Sequence, residues 1–107
     1  MNDRLIALVT GANRGIGFEV CRQLAARDYS VIVSGRDQAK VEQAAAQLAN
    51  AGGSAHPLAL DIADDRSARA AAEQVESRFR RLDVLVNNAG GNFDMENAAS
   101  SVSQSPR

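Results

Sequence analysis

Short apolar runs alternate along the chain with stretches that are apolar on one side only. The runs are Leu5-Ile6-Ala7-Leu8-Val9, Val31-Ile32-Val33, Leu58-Ala59-Leu60 and Val84-Leu85-Val86. Their continuous apolar character suits parallel strands covered on both faces, where alternation with polar residues is not required. The pattern predicts strands over 4–9, 30–34, 55–60 and 83–87, with helices over 15–28, 38–51 and 65–81 between them. In the third helix Ala68, Ala72, Val75, Phe79 and Leu82 recur at steps of four and three as one apolar stripe. Arg69, Glu73, Arg78 and Arg80 point elsewhere, and the first helix repeats the stripe with Ile16, Val20 and Leu24. Asp37 and Asp64 stand just before the second and third helices, where a short carboxylate accepts from free backbone N–H groups. Ala51-Gly52-Gly53 closes the second helix with residues that tolerate a left-handed cap.

Strand–helix–strand alternation with right-handed crossovers places the first two helices on one face of the sheet and the third on the other. The predicted strand order is 3-2-1-4, which sets the carboxyl ends of strands one and four side by side. In open α/β sheets that is the crevice where ligands bind. Strand four is left as an edge, and an unpaired edge is a template for self-association through residues 83–87. From Gly91 the apolar periodicity stops and the chain becomes Ser- and Asn-rich, so 91–107 is expected to be a disordered tail.

Composition narrows the partners. A length of 107 residues makes one small domain with a single core. Twelve basic residues against 13 acidic ones, dispersed along the chain, leave no electrostatic footprint for nucleic acid or an anionic membrane. No apolar run approaches membrane-spanning length, and Met1-Asn2-Asp3-Arg4 leads straight into the first strand without the pattern of a secretory signal. Cys21, the only cysteine, falls inside the first helical pattern and reads as a small packing residue, so a reducing cytoplasmic setting is expected. His56 precedes Pro57 at a strand start with no cysteine or histidine nearby to share a metal, and it is read as structural.

The chemistry concentrates in Thr10-Gly11-Ala12-Asn13-Arg14-Gly15-Ile16-Gly17, between the first strand and the first helix. A dinucleotide pyrophosphate is held by bare backbone N–H groups and a helix N-terminus, so side chains must be absent where the phosphates approach. Gly11 and Gly15 supply the bare backbone, and Gly17 lets the helix press against the strand.

The T-G-x-x-x-G-x-G spacing, together with Asn87-Asn88-Ala89-Gly90 at the end of the fourth strand, resembles the short-chain dehydrogenase/reductase family. The resemblance covers residues 4–90 and includes a likeness of the glycine turn and the following Phe18–Leu24 to the carbonyl-reductase branch. It implies an α/β fold, a Rossmann-type parallel sheet in three α/β/α layers, with residues 1–90 as an NAD(P)-binding half domain. It also implies cofactor contacts from Gly11, Asn13, Arg14, Gly15, Ile16 and Gly17. Asp61-Ile62 resembles the pair whose carboxylate takes the adenine amino group and whose next N–H meets the ring; the plainer reading is a turn or cap residue. Asn87 resembles the asparagine that ties neighbouring strands together, with Ala89 and Gly90 giving close backbone approach near the nicotinamide ribose.

The tip of the second strand, Ser34-Gly35-Arg36, bears on which cofactor is taken. An acid there accepts from a free 2′-hydroxyl and repels a 2′-phosphate, while an arginine does the reverse. Gly35 stands where NAD-preferring relatives carry the acid, and Arg36 where NADP-preferring ones carry a base, so NADP(H) is expected over NAD(H). Arg14 is within reach of the same phosphate. Asp37 is a counter-signal, at about the 20-residue offset quoted for a ribose-binding acid, and is assigned to helix capping.

The family performs hydride transfer with a Tyr-x-x-x-Lys pair and a serine, all beyond the fourth strand. Tyr29 and Lys40 are the only tyrosine and lysine here, so the pair is absent from this chain and no catalytic residue is assigned. Three readings stay open: the cofactor-binding portion of an NADPH-dependent reductase, a non-catalytic dinucleotide-binding or dimerising module, and a non-functional truncated product.

Overall fold

The computed structural model describes residues 4–88. Its elements are β1 (Ile6–Val9), α1 (Gly15–Ala26), β2 (Ser30–Gly35), α2 (Gln38–Asn50), β3 (Ser54–Ala59), α3 (Asp65–Phe79) and β4 (Val84–Val86). All pairings are parallel and the order is β3-β2-β1-β4, as the handedness argument requires. Register places Val9 beside both Val33 of β2 and Val86 of β4, so β1 and β4 end level while β2 runs two residues further to Gly35. Pro57 is tolerated because β3 is an edge strand, where a missing N–H costs least.

Alternate strand residues build two apolar layers, one on each face of the sheet, where the length suggested a single core. Val9, Val31, Val33 and Val86 pack with Cys21 of α1 and with Val41, Ala44, Ala45 and Leu48 of α2. Ile6, Leu8, Ile32 and Leu58 face the other way, against Ala71 and Val75 of α3. The two-plus-one distribution of helices is therefore the observed one. The Asp37 carboxylate accepts from Lys40 N–H (3.2 Å), and Asp64 accepts from Arg66 N–H (2.9 Å), so both capping assignments hold. Gly52, at φ +97°, ends α2 in the left-handed region as expected.

Two helix stripes differ from expectation. In α1 the buried residues are Gly17 and Cys21, while Ile16 is 58% exposed. Small residues face the sheet because helix and strand approach closely there, and size alone gives no hydropathy signal. In α3 the buried pair is Ala71 and Val75, Ala72 is exposed, and Leu82 lies beyond the left-handed cap at Arg80. The tail 91–107, with Ala89 and Gly90, lies outside the described residues.

Candidate functional site

At the carboxyl end of the sheet the chain leaves β1 through Thr10, which is buried. Its hydroxyl donates to Asn87 Oδ1 (3.1 Å) and accepts from Asn88 N–H (2.8 Å). Asn88 Nδ2 also donates to the Gly11 carbonyl (3.3 Å), latching the loop after β4 to the start of the glycine turn. The strand-tying role expected of Asn87 is thus shared by Thr10 and Asn88. A hydroxyl directly after the first strand, opposite an Asn pair after the last, was the available signal.

Gly11 (φ +59°) and Gly15 (φ +64°) occupy the left-handed region that side chains disfavour. Gly17 is glycine for a different reason. A Cβ there would strike the Gly11 carbonyl and sit 2.7 Å from Asn88 Nδ2. The turn delivers the chain into α1 from an extended Arg14 that offers no side-chain cap, and the first turn of α1 carries no acidic residue. Among the described helices α1 alone starts without a capping carboxylate, so its positive end stays open to an external anion.

Beside this helix end lies a cavity of about 440 Å³, lined by Gly11, Asn13, Arg14, Gly35, Arg36, Leu60, Asp61, Ile62, Ala63 and Asn88. Seven of the predicted site residues and neighbours, from the connections after β1, β2 and β3, converge here: Gly11, Asn13, Arg14, Arg36, Asp61, Ile62 and the Gly35 of the β2 tip. Gly15, Ile16, Gly17 and Asn87 do not line it; Gly17 and Asn87 act from behind, and Ile16 stands exposed beside the turn. Leu60 and Ala63 are wall residues that sequence reasoning missed, since nothing distinguishes them locally. Neither Arg14 nor Arg36 pairs with a carboxylate among the described residues. Gly35 is enclosed: a Cβ there would lie 3.1 Å from both Asn13 Oδ1 and Val41 Cγ1. A side chain at that position would need Asn13 or Val41 to give by a few tenths of an ångström.

Asp61 is held from three sides. Its N–H donates to Ser67 Oγ (2.8 Å), its Oδ1 accepts from Ala63 N–H (3.1 Å), and its carbonyl accepts from Asp64 N–H (3.0 Å). The turn reading of Asp61 is correct locally, and the residue also faces the cavity. Elsewhere burial pushes the Cys21 thiol up to about 12, which leaves it protonated and inert, as a packing residue should be. Tyr29 packs against the core at the start of β2, the end of the strand away from the cavity.

An open parallel sheet with a glycine turn feeding an uncapped helix at its carboxyl edge is the architecture of a Rossmann-type α/β unit. The chain belongs to the short-chain dehydrogenase family, whose model matches residues 5–105. It is 47% identical over 88 residues to (+)-neomenthol dehydrogenase of Arabidopsis thaliana, covering 78% of this chain and 30% of that protein. Carbonyl reductase [NADPH] 3 of Mus musculus is 44% identical over 93 residues, covering 85% of this chain and 33% of the relative. The solved Pseudomonas aeruginosa RhlG/NADP active-site complex superposes with a TM-score of 0.77 at 36% identity, covering 84% of this chain and 36% of that one. The chain spans about a third of the length of these relatives. Among the described residues no helix is long and apolar enough to cross a membrane.

Proposed function

We propose that this chain is the NADP(H)-binding portion of a short-chain dehydrogenase/reductase-type oxidoreductase acting on carbonyl and alcohol groups. The observation that carries the reading is the uncapped N-terminus of α1 opening beside a cavity that holds Arg14 and Arg36 without carboxylate partners. The turn glycines and the α1 N–H groups would hold the pyrophosphate, Asp61 and Ile62 the adenine, and Arg36 with Arg14 the 2′-phosphate. Glycine at position 35, followed by Arg36 in the cavity wall, supports NADP(H) over NAD(H), because the acid that would recognise a free 2′-hydroxyl is absent there and a base follows. The NADP of the RhlG complex and the NADPH in the name of the mouse relative point the same way. A bound nicotinamide supplies or accepts hydride; the residues present here bind and orient the cofactor. The unit we assign to this task is residues 1–90, with 91–107 as a tail, in a reducing cytoplasmic setting.

Titration of the chain with NADPH and NADH tests this. A charge-assisted contact of about 1.5–3 kcal/mol should favour NADPH by roughly tenfold to a hundredfold, and Arg36→Ala should abolish the preference. Equal or tighter NADH binding, or an indifferent Arg36→Ala, overturns the cofactor assignment.

A second reading, a non-catalytic dinucleotide-binding module that self-associates, is favoured by one observation. The described sheet ends on β4, the three-residue strand Val84–Val86, which pairs only with β1 among the described residues. The partner it would take is a second copy, through β4, which is an edge strand with Leu85 38% exposed. Sedimentation at tens of micromolar, a range in which exposed edges associate, should show dimers or larger species. A strictly monomeric, cooperatively folding chain rules that pairing out.

A further inference from the structure

We propose that Ser67 is a positioning residue that sets the adenine end of the site by holding the backbone of Asp61. The inference deepens the dinucleotide-binding reading and rests on it. Ser67 is the third residue of α3, and capping of that helix falls to the residue just before it begins. That duty is already filled. Asp64 is the N-cap and its carboxylate accepts from the Arg66 and Ser67 N–H groups at 2.9 and 3.4 Å. The Ser67 hydroxyl reaches back instead to accept from Asp61 N–H at 2.8 Å, across six residues and out of its own helix.

The loop between β3 and α3 is thereby closed at both ends. Asp61 O accepts from Asp64 N–H and Asp61 Oδ1 from Ala63 N–H, so carbonyl, carboxylate and amide of one residue are each engaged. The next N–H, that of Ile62, has no partner among the described residues, and Ile62 lines the cavity. The Ser67 hydroxyl holds the Leu60–Asp61 peptide and the Asp64 N–H holds the carbonyl of the next one, so Asp61 is fixed on both sides and the Ile62 amide of that second peptide is left as the donor available to an adenine ring. Without the Ser67 hydroxyl, the Asp61 amide must seek water or the ligand, and the loop loses its orientation before the nucleotide arrives. Pre-ordering of this kind raises affinity by lowering the ordering cost of binding.

The test compares Ser67→Ala with Ser67→Thr in the 107-residue chain, using 2′,5′-ADP and NADPH as probes. Loss of one aligned hydrogen bond should weaken 2′,5′-ADP by about fivefold to tenfold in Ser67→Ala, and Ser67→Thr should restore it. Amide exchange at Asp61 in the nucleotide-free chain should quicken in Ser67→Ala and not in Ser67→Thr. Ser67→Val, which keeps the shape of threonine without the hydroxyl, repeats the comparison should the alanine variant fold poorly. A Val variant that binds within twofold of Thr, or an unchanged Asp61 exchange rate, overturns the assignment. A parent chain that binds neither probe overturns it together with the functional reading, whereas tight binding by every variant overturns this assignment alone.

Discussion

The two ends of the sheet treat their polar groups in opposite ways. At the amino end each strand start is closed by its own neighbours. Asp83 N–H donates to the Ile6 carbonyl while the Asp83 carboxylate accepts from Ile6 N–H at 2.7 Å, and Arg81 spans from that carboxylate to the Arg4 carbonyl. Ser30, Ser54 and His56 satisfy one another within 3.3 Å. At the carboxyl end the α1 amides, the Ile62 amide and two arginines are left without such partners. Arg14, Arg36 and Ile62 are exposed, so these groups are solvated rather than stranded, and their concentration beside the cavity makes that end the candidate ligand surface. The amino end holds the strands in register, and the carboxyl end is kept open.

Substitutions at the two ends should therefore separate stability from binding. The largest effect is expected for Gly17→Ala, because its new methyl group meets the Gly11 backbone and Asn88. Overpacking of this kind should cost about 2–3 kcal/mol. It should also weaken nucleotide binding by roughly tenfold or more through displacement of the turn. Urea unfolding and NADPH titration measure the two, and a variant as stable as the parent would show that helix and strand are not in close contact there. Asp83→Ala leaves the Ile6 amide half-buried without its acceptor and should cost about 1–2 kcal/mol. Its NADPH affinity, measured where the variant is still folded, should match the parent. A loss of affinity comparable to that of Gly17→Ala would break the division between the two ends.

Much of the open end was legible in the sequence because backbone demands write themselves as residue types. Left-handed φ and close approach select glycine at positions 11, 15 and 17, and capping selects aspartate at 37 and 64. Strand order followed from alternation and handedness. The contacts that align the loops were not legible. Thr10 meets Asn88 across 78 residues, and Ser67 meets Asp61 by turning away from the helix it sits in. Both are ordinary hydroxyls until the tertiary fold chooses their partners. The misplaced stripes on α1 and α3 have a related cause, since glycine, cysteine and alanine can face a sheet without registering as strongly apolar.

The smallest effect expected at the closed end is a pH dependence set by His56. Its ring lies edge-on to Phe79 with centroids 5.1 Å apart, and its Nε2 stands 3.2 Å from Ser30 Oγ and 3.3 Å from Ser54 Oγ. Burial first, and the Arg78 guanidinium second, hold its pKa below the ordinary histidine value. The unfolded chain, in which the ring titrates near about 6.5, then binds a proton more readily than the folded one. The neutral ring favours the fold fully above that value, and the contribution is lost as pH falls from there through the lower folded pKa. Partial exposure of the ring screens the effect, so the fall in melting temperature between pH 7.5 and pH 5.5 should be on the order of a few degrees. His56→Gln keeps a polar group near the serines but cannot take up the proton in this range. Its melting temperature should be flatter over the same interval, as followed by circular dichroism. Parallel curves for parent and variant would show that protonation of His56 is not opposed by the fold, and that the closed end draws nothing from keeping the ring neutral.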